Sequence, residues 1–204
     1  VARRGKPGIP PKAAKVIREI VDDIAMPKPR KRTGGIAPSG KTPRVSAGPT
    51  AGVPSRYRQV PHGSTHESRL VQQARLDATD RGSTYSAASW TDANGTVHHG
   101  IGKADANGHA ETRALEDLRH KIAQHEGVHP DQVSLDRDGV KVYVEYSPCD
   151  TKPRFCHQEI ADTAPNADVS YSHPWQPTSV RDDSRTGLRD DIRNLFNRGT
   201  VGPL

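Results

Sequence analysis

One histidine, one glutamate and two cysteines offer this sequence its clearest chemistry. His109-Ala110-Glu111 lies in NGHAETRALEDL, and Cys149 and Cys156 lie in YSPCDTKPRFCHQEI. A neutral imidazole and two thiolates are zinc ligands, and three of them leave a fourth position for water; a structural site closes with four protein ligands. Zn2+ is therefore the expected cofactor, because it lowers the pKa of a bound water toward neutrality. Glu111 stands two residues after His109 and cannot share its coordination direction. It projects toward the open position, where a carboxylate can move protons. Both cysteines fall near the start of one helix, whose positive end favours thiolate. Two other readings stay open here. Cys149 and Cys156 could pair as a disulfide, or His157 could supply a fourth ligand to a structural zinc.

The elements that must position these residues can be read from periodicity. Thr65–Asp80 is expected as a helix with Leu70, Val71, Ala74, Leu76 and Ala78 as its apolar positions. Thr84–Trp90 and Thr96–Ile101 are short strands joined through Asn94-Gly95, a strong hairpin signal. A second helix runs from about His109 to His125. Val140–Tyr146, VKVYVEY, reads as a central strand. A helix follows from near Phe155 and ends before Pro165. Asp168–Trp175 is a further strand, and Asp183–Asn197 a closing helix with Leu188, Ile192, Leu195 and Phe196 on one face. This order predicts an α/β sandwich with a mixed sheet.

Charge divides the chain. Residues 1–60 hold 14 Lys+Arg, 3 Asp+Glu and 9 of the 17 Pro, a net of +11. Residues 61–204 hold 16 and 21, a net of −5. The expected organisation is a disordered, basic, Pro/Gly-rich arm over 1–60 and one domain over 61–204, an ordinary domain size. Within the arm, Lys12–Ala25 places Val16, Ile17, Ile20, Val21 and Ile24 at helical spacing. The cluster PKPRKR at 27–32 is either a solvated linker or a nucleic-acid contact. Two Cys in 204 residues exclude a disulfide-dense scaffold. No apolar run is long enough for a membrane span, so no membrane insertion is expected. The sequence starts at Val and shows no signal-peptide pattern, so the expectation is a fragment of a longer protein.

His109-Ala110-Glu111 with Pro148-Cys149 and Cys156 resembles the zinc-dependent cytidine and nucleic-acid deaminase superfamily, which carries H-x-E and P-C-x-x-C. Six residues separate the two cysteines here instead of two. A longer gap resembles the riboflavin-pathway deaminases and several bacterial toxin deaminases, in which a loop bulges before the second ligand. The resemblance covers about residues 65–176 and includes the order of elements. It implies a cytidine deaminase-like α/β/α sandwich and hydrolytic deamination, with attack at C4 of cytosine or C6 of adenine. The Pro-rich arm ahead of YVEYSPC and ADVSYS is similar to the C-terminal deaminase toxins of bacterial polymorphic toxin systems. That likeness implies a nucleic-acid cytosine deaminase, delivered as a secreted effector into a target-cell cytoplasm and neutralised by a cognate immunity protein. A monomer is expected. Alternatives are a free nucleoside or nucleotide deaminase, an adenine deaminase on nucleic acid, and a non-catalytic zinc module.

Further positions are expected near substrate. Ser147 precedes the Pro-Cys pair, where superfamily members often set a backbone carbonyl against the substrate amine. Asn107 resembles an Asn that contacts ribose in some members, with a turn residue as the alternative. Tyr171, His173 and Trp175 alternate along a strand and either stack on a base or pack the sheet. His98 and His99 end a hairpin strand near a possible entrance. Arg181, Arg185, Arg189 and Arg193 recur every four residues. They either follow phosphates or pair with the interleaved Asp182, Asp183, Asp190 and Asp191.

Overall fold

The computed structural model describes residues 57–106, 108–149 and 155–202. The expected helix at Lys12–Ala25, the basic cluster at 27–32, Asn107 and the gap residues 150–154 lie outside the described residues. Five strands and four helices form an α/β fold. In chain order they are β1 (Tyr57–Gln59), α1 (His66–Ala78), β2 (Tyr85–Thr91), β3 (Val97–Lys103), α2 (Ala110–Glu126), β4 (Lys141–Tyr146), α3 (Cys156–Thr163), β5 (Asp168–His173) and α4 (Arg181–Arg198). Short 3-10 turns occupy Pro130–Gln132 and Thr178–Val180.

The sheet is mixed, in the order β1-β5-β4-β2-β3. β1, β5 and β4 run parallel, while β2 is antiparallel to both β4 and β3. Central β4 is covered on both faces, which is why VKVYVEY is apolar almost throughout. Val142 and Val144 join Leu115, Leu118 and Ile122 of α2 and Ile160 of α3 in one core. Tyr143 turns the other way, into a second core with Leu70 and Val71 of α1 and Tyr85 and Ala87 of β2.

Local signals set the boundaries. Thr65 caps α1 in a capping box with Ser68, through hydrogen bonds of 3.1 and 2.8 Å. The β2–β3 hairpin turns through Gly95, whose φ of 84° favours glycine. β3 then carries Gly100 and Gly102 against α2. A Cβ at Gly100 would overlap the backbone of Ala114 and Leu118, and one at Gly102 that of Ala110 and Ala114. The two glycines therefore let the helix that begins after His109 lie directly on the sheet.

The structure differs from the sequence reading at one edge. Tyr57–Gln59, assigned there to the arm, pairs in parallel with Val169–Tyr171 and extends the sheet. Three residues are too few to show periodicity, and the pairing is supplied by β5, more than a hundred residues away. No helix among the described residues is long and apolar enough to cross a membrane.

Candidate metal centre

Three chain segments converge at one end of the sheet. His109 is the N-cap of α2, with extended backbone angles and no side-chain hydrogen bond to the helix. An N-cap side chain normally satisfies a free amide of the first turn. Here the imidazole points elsewhere: its Nδ1 lies 2.6 Å from Cys156 Sγ and 3.8 Å from Cys149 Sγ. Cys156 opens α3 and is fully buried, whereas Cys149, in the segment leaving β4, is partly exposed. Their sulfurs stand 2.8 Å apart and are not joined as a disulfide. That separation exceeds the length of an S–S bond, about 2.05 Å.

These contacts shape the charge. The hydrogen bond from the Cys156 thiol, with that from His109, outweighs burial and holds the Cys149 thiol well below the ordinary thiol range. The same bond, together with burial, pushes Cys156 well up. Glu111 is 4% exposed, with Oε1 4.0 Å from His109 Nδ1. Burial pushes its carboxyl up, and a hydrogen bond with Cys156 and the His109 charge offset this only in part.

His109, Cys149 and Cys156 form a donor set that could hold a metal ion. Nitrogen with two soft sulfurs suits zinc. Two thiolates across a tetrahedral zinc stand about 3.7 Å apart, so holding zinc would require this pair to spread. His157 does not complete the set. Its Nδ1 lies 3.3 Å from the carbonyl oxygen of Cys149, and its backbone N–H donates to that same oxygen. Its role is to hold the cysteine segment against α3.

The other expected residues divide. Ser147 is buried beside the centre: its N–H donates to His173 O and its Oγ accepts from Trp175 N, each at 2.8 Å. Tyr171 is buried in the core next to β4, with no open face for a base. His173 Nε2 lies 3.0 Å from Asp191 Oδ2. Trp175 falls past the end of β5, half-buried, with Tyr146 tilted against it at 4.7 Å. The guanidiniums of Arg181 and Arg185 each stand 5.0 Å over its ring. Within the arginine row, Arg185 and Arg193 also pair with Asp182 and Asp190. His98 and His99 lie on β3, and His98 is engaged with Asp92 rather than with this centre. Sequence reasoning used Phe155 only to mark a helix start, not as a site residue; it stands 41% exposed beside Cys156. An apolar residue directly before a metal ligand was the available signal.

Residues 81–192 match the model of a family described as Xanthomonas-like deaminase. The match spans more than half of the chain and includes His109, Glu111, Cys149 and Cys156. No curated protein and no solved structure matches.

Proposed function

Because this chain belongs to the Xanthomonas-like deaminase family, we propose that it is a zinc-dependent hydrolase converting cytosine to uracil in nucleic acid. The observation that carries the reading is the meeting of His109, Cys149 and Cys156 with buried Glu111 beside them. Hydrolytic deamination consumes a water, breaks the exocyclic C4–N bond, forms a C4–O bond and releases ammonia. Zinc, when bound by His109, Cys149 and Cys156, supplies the Lewis acidity that brings the pKa of a water to about 7. Glu111 is the proton carrier. Its carboxylate takes a proton from the attacking water, delivers it to the ring nitrogen N3, and passes the next to the departing amine. A carboxyl pushed up by burial suits both halves of that task.

A nucleic-acid substrate is supported by the surroundings of the centre. Trp175 lies under Arg181 and Arg185, and its N–H is tied to Ser147, two residues before Cys149. Exposed Phe155 adjoins Cys156. Bases stack on such rings for about 1–3 kcal/mol each, and arginines beside them favour a phosphate chain. The toxin role is part of the same proposal, with delivery into a target cell and an immunity protein as the partner.

The test presents purified protein with single- and double-stranded DNA, RNA and free cytidine, and measures uracil. Uracil in an oligonucleotide is the expected result. Uridine from free cytidine alone would favour the nucleoside reading, and inosine from adenine-containing strands the adenine reading. No deamination of any substrate would overturn all three. Expression in bacteria without an antidote is expected to arrest growth and leave C-to-T changes.

A further inference from the structure

At the opposite end of α2 a second group of donors meets. Asp92 opens the hairpin turn, His98 lies on β3, and His125 falls in the last turn of α2. His125 follows His109 by 16 residues, so the two groups are about 24 Å apart along the helix. They are separate sites.

The carboxylate of Asp92 is already half committed. Its Oδ1 accepts from the backbone N–H groups of Asn94 and Thr96, each at 2.8 Å. That fixes the side chain and turns Oδ2 toward both rings, 3.5 Å from His98 Nε2 and 3.3 Å from His125 Nε2. The imidazole centroids are 4.6 Å apart, and all three donor atoms lie within 4.8 Å of one another. His98 is 8% exposed, and Trp90 stacks on its ring at 5.7 Å. The buried ligand is therefore held in orientation.

The distances admit a bound ion as well as direct hydrogen bonds. An N–H···O hydrogen bond has its optimum at about 2.9–3.0 Å, and both contacts are longer. A tetrahedral first-row ion, with bonds of about 2.0–2.2 Å to nitrogen and oxygen, sets those donors about 3.4 Å apart. The observed 3.3 and 3.5 Å bracket that value. Two imidazoles and one carboxylate are also a donor set that first-row divalent ions accept, with water filling the remaining position.

We propose that Asp92, His98 and His125 bind a divalent first-row metal ion, zinc foremost, as a clip joining the hairpin turn and β3 to the last turn of α2. The clip requires nothing of the deaminase reading. It closes the helix-on-hairpin unit at the end away from His109.

Cobalt separates the two centres by colour. Metal-free full-length protein is titrated with Co2+. A cobalt ion held by Cys149 and Cys156 gives a thiolate charge-transfer band in the near ultraviolet, whereas one held by nitrogen and oxygen gives only visible ligand-field bands. Two equivalents are expected, one of each kind. His125→Ala removes an exposed ligand from a helix surface; it is expected to abolish the second phase and leave the charge-transfer phase intact. Asp92→Asn keeps an oxygen for the turn amides and is expected to weaken the second phase at least tenfold. Zn2+ is expected to raise the Tm of the wild type more than that of His125→Ala. A second phase with no charge-transfer phase would support the clip while counting against the deaminase centre. Binding of one equivalent with charge transfer only, or a second phase that neither variant changes, would overturn the clip.

Discussion

Glu111 joins two properties that conflict outside an active site: it is a carboxyl and it is buried, against the side chain of Cys156. A structural role would be met more cheaply by an apolar residue. Glu111→Gln keeps the shape and removes the proton carrier. We expect its kcat to fall by about 10²–10⁴-fold, with zinc content by elemental analysis and Tm close to wild type, because Glu111 is not a ligand. A variant within tenfold of wild-type rate would remove Glu111 from the mechanism. Glu111, His109, Cys149 and Cys156 could be singled out in the sequence because they come as short local signals, HAE at a helix start and Pro-Cys after a strand. The stack of Tyr146, Trp175, Arg181 and Arg185 was not, because it depends on where the chain turns after His173. The Asp92–His98–His125 group was hidden for a similar reason. It draws one residue from each of a turn, a strand and a helix, and no spacing rule links them.

Elements place those residues through backbone contact. α2 begins at the metal centre and rests on Gly100 and Gly102, and Asp117 of the same helix accepts the N–H of Ile101 at 2.9 Å on the edge strand. That bond uses an edge group that would otherwise be open to pairing. Helix and strand are thus fixed to each other along most of their length. The hairpin signal at Asn94-Gly95 showed a strand over Thr96–Ile101, but not that Gly100 and Gly102 are the seat of a helix. That requirement comes from the partner element. Gly102→Ala puts a methyl group into the backbone of Ala110, one residue after His109. We expect a loss of about 3 kcal/mol, at the upper end for overpacking because backbone cannot rotate away. Urea unfolding measures that loss. We also expect zinc affinity to fall with it, since the helix start carries His109. Wild-type stability and zinc affinity in this variant would mean that α2 is not seated as described.

On the scale of the whole molecule, charge divides by role. Residues 1–60 carry +11, and those of them that the structure describes, 57–60, pair with or bond to β5; His109, Glu111, Cys149 and Cys156 belong to the part with a net of −5. Inside that part, one ion pair fastens α1 to the sheet. Arg75 donates from Nε and Nη2 to the two oxygens of Glu145, each at 2.6 Å, and both side chains are fully buried. Glu145 Oε2 also accepts the N–H of Tyr85 at 2.7 Å. Burial pushes the Glu145 carboxyl up, but the Arg75 charge and the hydrogen bonds from His62 and Arg75 more than reverse it, so it titrates below its ordinary value. A carboxyl lowered in the folded state binds fewer protons there than in the unfolded chain. Its contribution to stability is therefore complete above the unfolded value of about 4.3 and is lost as pH falls through the folded value. Glu145→Gln leaves the Arg75 charge buried without its counterion, and we expect a loss of about 3–5 kcal/mol at pH 7. The acid limb gives the sharper test. Between pH 5 and pH 3 the urea midpoint of the wild type is expected to fall more steeply than that of Glu145→Gln, which has no carboxyl left to protonate at that place. Metal release in acid affects both proteins alike, so the difference between the two curves belongs to this ion pair. Parallel curves would mean that the charge on Glu145 is not what holds α1 to β4.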